Sequence, residues 1–209
     1  MKNKYIRREK KYNLNKISLL KFLKENYFFF TSSRLINSIY FDTLKEKFHE
    51  DGEEGIIPRK KVRIRWYGSG LLSPNNCNLE IKKTLLKEKI KFSQPWKYIN
   101  KDNKTKEFKN LTTEKNKILD KKLYSKLYIC YRRYYFENAS QERITYDDKI
   151  CFNRINFEIK NFQFNIIKRI YSPKCITEIK YKNINSLKQF ETEFFPIRYS
   201  KYSEGMNVI

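Results

Sequence analysis

The sequence predicts an α+β fold, a closed antiparallel β-barrel of about eight strands with a few helices outside it. Three observations predict it. Lys61-Val-Arg-Ile-Arg-Trp-Tyr67 alternates cations with apolar residues at the two-residue period of a strand, so Lys61, Arg63 and Arg65 share one face and Val62, Ile64 and Trp66 the other. The same alternation returns in Leu79–Lys82, Lys89–Phe92, Arg143–Asp147 and Ile176–Tyr181. The connections between these runs are mostly short, which favours antiparallel neighbours. Strands that each carry a charged face read as a sheet curled around a polyanion, because unpaired ions inside a dry barrel are costly.

The elements follow in order. Tyr5 to Tyr12 reads as a strand with Arg7, Glu9 and Lys11 on one face. Asn13 is placed to cap an amphipathic helix through Asn26, with Ile17, Leu19, Leu20 and Leu23 on its apolar side. Ile36 to Asp42 is a second strand, and the acidic run His49-Glu-Asp-Gly-Glu-Glu-Gly55 reads as a mobile loop with an exposed histidine. Lys60 to Tyr67 and Asn78 to Thr84 are strands joined across Gly68-Ser-Gly70 and Ser73-Pro74, and Lys87 to Phe92 is a fifth. Residues 93–109 are polar and aperiodic; Thr112 or Thr113 then opens a helix to Leu127, with Ile118, Leu119, Leu123 and Leu127 on one face. Tyr128 to Phe136 and Gln141 to Asp147 form a hairpin around Asn138-Ala-Ser140. Ile150 to Arg169 holds one or two irregular strands, Ile176 to Lys182 is the last strand, and Ser186 to Phe194 is a short helix.

The chain has 209 residues, 40% hydrophobic and 16% aromatic, which is enough for one domain spanning 1–209. Lys and Arg number 46 against 23 Asp and Glu, a net charge of +23 that implies an anionic partner. Cys77, Cys130, Cys151 and Cys175 stand far apart beside a single histidine, His49, so a zinc site and a disulfide framework are both disfavoured and a reducing cytoplasm is expected. Phe28-Phe-Phe30 is too short to span a bilayer, and no secretory leader is visible.

The ordered set Arg7-x-Glu9-x-Lys11-Tyr12, Ser38-Ile-Tyr-Phe-Asp-Thr43, Lys61-Val-Arg-Ile-Arg-Trp-Tyr-Gly68, Leu79-Glu-Ile-Lys82, Tyr131-x-Arg133, Arg143-Ile-Thr-Tyr-Asp147, Glu178-Ile-Lys-Tyr181 and Ser200-Lys-Tyr-x-x-Gly205 resembles the VTC domain. This is the polyphosphate polymerase branch of the triphosphate tunnel metalloenzymes, related to the CYTH domains. The resemblance implies a tunnel barrel that binds the triphosphate of ATP with a divalent metal, Mn²⁺ or Mg²⁺. It implies transfer of the γ-phosphoryl group onto a growing inorganic polyphosphate chain.

Carried over motif by motif, the resemblance makes Lys11, Arg63, Arg65, Lys82, Arg133, Arg143 and Lys201 the catalytic phosphate ligands. Further substrate-binding candidates are Arg7, Lys180, Arg198 and Tyr131, with Lys89 or Lys91 supplying another cation from the fifth strand. The resemblance also makes Glu178 the metal carboxylate, with Glu9 a second candidate. Arginine forks and lysine point charges suit phosphoryl transfer, whose loose transition state asks for positioning and charge neutralisation.

Bland readings stand beside these. Glu9, Glu80 and Glu178 each have a cation two residues on, Lys11, Lys82 and Lys180, and any of them can be a salt-bridge partner. Asp42 and Asp147 close strands and can simply cap turns. The rival functions are a tunnel-fold triphosphatase, which carries two glutamates in a first-strand ExExK where this chain has Arg7, and a non-catalytic module binding polyphosphate or nucleic acid. Nucleic acid is disfavoured, because it asks for outward basic patches with stacking aromatics rather than alternating strand charges. The expected setting is the cytoplasm, with association to a separate membrane protein resting on analogy alone.

Overall fold

The computed structural model describes residues 8–98, 106–120, 122–181 and 194–209. The elements run β1 (Arg8–Asn13), α1 (Lys16–Glu25), β2 (Phe29–Asp42), α2 (Lys47–Glu53), β3 (Arg59–Tyr67), β4 (Asn78–Thr84), β5 (Lys89–Pro95), α3 (Lys106–Leu119), β6 (Tyr124–Glu137), β7 (Arg143–Glu158), β8 (Gln163–Tyr171), β9 (Ile176–Tyr181) and α4 (Lys201–Val208). The strands hydrogen-bond in the order β1-β9-β7-β6-β2-β3-β4-β5, with β8 paired to β7. The expected closed barrel is therefore corrected: among the described residues the nine-stranded sheet is an eight-strand path ending at β1 and β5, with β8 branching from β7. The segment expected as a helix over Ser186 to Phe194 lies outside the described residues, apart from Phe194 itself.

The chain divides into two compact units, the first comprising Met1–Leu35, Tyr131–Ile150 and Tyr171–Tyr199 and the second Ile36–Cys130, Cys151–Ile170 and Ser200–Ile209. Each has its own apolar core. In the first, Tyr12, Ile144, Tyr146 and Ile179 from one sheet face pack with Leu19, Phe22 and Leu23 of α1. In the second, Ile39, Phe41, Val62, Ile64, Trp66, Leu79, Ile81 and Phe92 from one sheet face pack with Phe48 of α2 and Ile118 of α3. Alternation dictates both arrangements: the residues between these apolar positions project from the opposite face.

Four local expectations are revised. Asn13 pairs with Ile176 as the last residue of β1, so the cap of α1 moves to Asn15, whose side chain accepts from the Ser18 amide. Ile17 and Leu20 do not join the buried side of α1 and are 82% and 50% exposed. The acidic run is not a loop: Lys47–Glu53 forms a helix because the Asp42 carboxylate accepts from the Phe48 and His49 amides near its start. His49 is half-buried there, edge-on to Tyr202. The third helix ends at Leu119, where the Lys122 and Leu123 amides turn back to the Lys117 carbonyl, and Leu127 is instead a buried strand residue alternating with Ile129 and Tyr131.

Candidate functional site

In the second unit the strand registers line up polar residues as rungs on the face opposite the core. One rung is Ser38, Arg65 and Asn78; the next is Tyr40, Arg63, Glu80 and Ser93; the next is Lys61, Lys82 and Lys91. Glu80, 2% exposed, is the hub. Its Oε2 accepts from Arg63 Nε at 2.7 Å and from Arg63 Nη2, and lies 3.8 Å from Arg65 Nη1, while its Oε1 accepts from Lys91 Nζ at 2.7 Å. Burial works against that carboxylate's charge, but Arg63, Arg65 and Lys91 outweigh it and hold its pKa down at about 2. Arg63 Nη1 donates to the Tyr40 hydroxyl at 2.8 Å, and Arg65 Nε donates to Ser38 Oγ at 3.0 Å. Both guanidinium groups are thus fixed before any ligand arrives, with lysines beside them on the same face.

Helix α4 of the same unit buttresses this face. Ser200 caps it, accepting from the Ser203 amide, and also accepts from Lys61 Nζ. Tyr202 donates to Asp42 Oδ2 and stacks on Tyr40 with ring centroids 4.9 Å apart. Gly205 lets the helix settle, since a Cβ there would stand 2.5 Å from Leu127 Cδ2 and 2.8 Å from Phe152 Cδ1.

The first unit has a second charged face, again opposite its core. The registers set Lys11 across from Glu178 and Glu178 across from Thr145, and beside that rung Glu9 across from Lys180 and Lys180 across from Arg143. Glu178 is 9% exposed and pairs with Lys180 Nζ at 3.0 Å. Its burial opposes ionisation, but Lys180, Arg133 and Lys11 together bring its pKa to about 2. Arg133 forms a two-pronged pair with Asp147, Nε at 2.5 Å and Nη2 at 2.7 Å from the two carboxylate oxygens. Burial alone would weaken the Arg133 charge, yet Asp147 raises its pKa well above normal. Lys11 Nζ donates to the Tyr199 carbonyl at 3.0 Å and lies 3.7 Å from Glu9.

The structure thus brings Arg63, Arg65, Lys82 and Lys91 onto one face and Lys11, Arg133, Lys180, Glu178 and Glu9 onto the other. Tyr131 is buried with the Arg133 guanidinium 5.4 Å from its ring centroid. Arg143 is exposed, its Nε donating to Glu137 at 2.7 Å rather than to Glu178. Lys89 sits at the start of β5 opposite Thr84, one rung beyond Lys91. Arg198 is exposed in the segment before α4, and Lys201 is the first residue of that helix. Arg7 lies outside the described residues.

Sequence reasoning did not give site roles to Ser38, Tyr40, Lys61 or Ser200, and it read Asp42 and Asp147 as turn caps. One signal for Asp147 was available: it and Arg133 stand seven residues either side of Ser140, the hairpin centre.

Among the described residues no three His, Cys, Asp or Glu side chains cluster to hold a metal by themselves. Glu178, with Glu9 one strand away on the same face, fits a different kind of site, in which one or two carboxylates share a hard cation with phosphate oxygens and water. The low pKa of Glu178 keeps it a ligand-competent carboxylate throughout the neutral range.

Among solved structures, the chain is similar to the PH1819 protein of Pyrococcus horikoshii OT3 (14% identity, 96% of this chain and 98% of that one, TM-score 0.55). It is also similar to HpAC1 of Hippeastrum, an adenylyl cyclase candidate described as having a dominant triphosphatase activity (13% identity, 95% and 94% coverage, TM-score 0.55). A further similar structure is an adenylate cyclase candidate from Vibrio parahaemolyticus (12% identity, 97% and 98% coverage, TM-score 0.51). These likenesses show that the chain shares their fold. A search of curated proteins found no match. The model of the VTC domain family matches residues 1–209, the whole length, and the chain belongs to that family.

Proposed function

We propose that the protein is a polyphosphate polymerase that transfers the γ-phosphoryl group of ATP to the end of an inorganic polyphosphate chain. The observation that carries this reading is the pre-set pair of arginines on the second unit's charged face: Arg63 and Arg65 are buried and held by Glu80, Tyr40 and Ser38. A row of lysines, Lys61, Lys82 and Lys91, continues that face. Such a face suits an extended polyanion better than a single phosphate.

In this mechanism the arginine forks bind non-bridging phosphate oxygens, and the lysines lower the repulsion between the donor triphosphate and the incoming acceptor. A terminal oxygen of the acceptor attacks Pγ, the bond from Pγ to the β,γ-bridging oxygen breaks, and ADP leaves with that oxygen. Glu178, with Glu9, would hold a divalent cation, which when bound supplies charge neutralisation to phosphate oxygens that reach the first unit's charged face. Arg133 stays ionised and oriented on Asp147, available to a phosphate through its remaining N–H groups.

A triphosphatase is the second reading, favoured by the description of HpAC1. Against it stand Arg7, where the triphosphatase first strand carries a glutamate, and the cations Lys11, Lys180 and Arg133 around Glu178. The test is incubation of the purified protein with ATP and Mn²⁺ or Mg²⁺, followed by a gel stained for polyphosphate. The expected result is long polyphosphate with ADP, lost in Glu178→Ala and in Arg63→Ala. Free phosphate without polymer would select the triphosphatase.

A further inference from the structure

The first unit holds a buried hydroxyl that its own fold does not satisfy. Thr145 is 2% exposed, and its Oγ1 has no hydrogen-bond partner among the described residues. A buried hydroxyl left unpaired lowers stability, so a threonine where valine would fill the same space calls for an explanation. Alternation places it: Ile144 and Tyr146 belong to the core, so Thr145 stands on the opposite, charged face, between Arg143 and Asp147. The β7–β9 register sets it directly across from Glu178. Side chains directly opposed on one sheet face lie within reach of each other.

Glu178 does not take that hydroxyl in this arrangement. Its carboxylate pairs instead with Lys180 Nζ at 3.0 Å, two residues along the same strand face. Lys180 is partly exposed and its long side chain can withdraw toward solvent, whereas Thr145 is short, β-branched and confined to few rotamers. A carboxylate that ligates a cation is ordinarily hydrogen-bonded as well, which fixes its orientation. The hydroxyl across the register stands where such a contact to Glu178 is needed.

We propose, resting on the reading that Glu178 holds the divalent cation, that Thr145 is the positioning residue of that carboxylate: Oγ1 donates to one oxygen of Glu178 when it turns from Lys180 to the cation, leaving the other oxygen for the metal. The hydroxyl is then unpaired while Lys180 holds Glu178 and paired while Glu178 holds the cation. Its desolvation cost falls on the unliganded form alone, which favours binding. Thr177 supplies the contrast. It is 0% exposed and its Oγ1 is likewise unpartnered among the described residues, but it stands on the core face, opposite Tyr12 and Tyr146, and points away from the Glu178 side of the sheet.

The test is titration of Mn²⁺ alone against the purified protein, followed by the paramagnetic resonance signal of the free ion. Thr145→Val, which keeps the shape and removes the hydroxyl, should lose about ten- to a hundredfold in Mn²⁺ affinity. Thr145→Ser, which keeps the hydroxyl, should bind close to wild type, and Thr177→Val should match wild type. In metal-free buffer Thr145→Val should unfold at or above the wild-type temperature, because it removes an unpaired buried hydroxyl. Three results overturn the proposal: Mn²⁺ affinity unchanged in Thr145→Val, an equal loss in Thr145→Val and Thr145→Ser, or a metal-free Thr145→Val that is less stable than wild type, failure to fold included. If Glu178→Ala abolishes Mn²⁺ binding in any of these cases, the role of Glu178 stands. Mn²⁺ binding that is absent from wild type, or indifferent to Glu178→Ala, overturns both.

Discussion

At the scale of single residues, Glu80 shows how a buried ion can be structural and functional at once. It gathers Arg63, Arg65 and Lys91, so its removal takes a shared buried carboxylate away from all three cations. Glu80→Gln should lower stability by roughly 3–5 kcal/mol, the usual consequence of breaking a buried pair from one side, read as a shift in the urea midpoint. The pH dependence has a definite sign. Because the Glu80 pKa lies at about 2 instead of its ordinary 4.5, its contribution is complete above about 4.5 and is lost as pH falls from there towards 2. The Gln variant should have a shallower acid limb; an unchanged midpoint with an unchanged limb would show that the cluster does not depend on this carboxylate. The sequence displayed Glu80 beside Lys82 at the spacing of one strand face, but its partners Arg63 and Lys91 come from neighbouring strands, and their identity depends on register. Tyr40 was illegible for the same reason.

At the scale of elements, strands were legible where cations and apolar residues alternate, and Asn78–Thr84 is matched to the residue. Two helical boundaries were not. Helix α2 depends on the carboxylate of Asp42, at the end of β2, meeting the Phe48 and His49 amides, whereas composition alone reads the run as an acidic loop. Beyond α3, apolar residues at 119, 123 and 127 satisfy a helical period, while Leu127, Ile129 and Tyr131 satisfy a strand period equally well, and burial in the second unit's core and in β6 decides the matter. Helix α4 gives this scale its prediction. With Leu127 and Phe152 packed where a Cβ would go, Gly205→Ala should cost roughly 1–3 kcal/mol of stability by overpacking. Thermal unfolding measures it. The helix also carries Ser200 to Lys61 and Tyr202 to Tyr40, so tripolyphosphate affinity should fall with it. A variant as stable as wild type would mean that α4 does not need this close approach.

At the scale of the whole molecule, the net charge of +23 and the ordered motifs made the family readable from end to end, and the family model spans the same 209 residues. Closure of the sheet was not readable, because alternation fixes which face a residue occupies and says nothing about which edges hydrogen-bond; β1 and β5 end the strand path. Among the described residues no helix is long and apolar enough to cross a membrane. The central claim is that the charged strand faces, rather than the lysine-rich surface at large, take up the phosphate chain. Titration calorimetry of inorganic tripolyphosphate against wild type, Arg63→Ala, Arg133→Ala and Lys21→Ala, the last on the exposed side of α1, tests it most directly. Each arginine variant should lose about ten- to a hundredfold in affinity, the scale of a lost hydrogen bond to a charged group, while Lys21→Ala stays within about twofold because exposed charges contribute little. Equal losses in all three variants, or none in the arginine variants, would contradict the account.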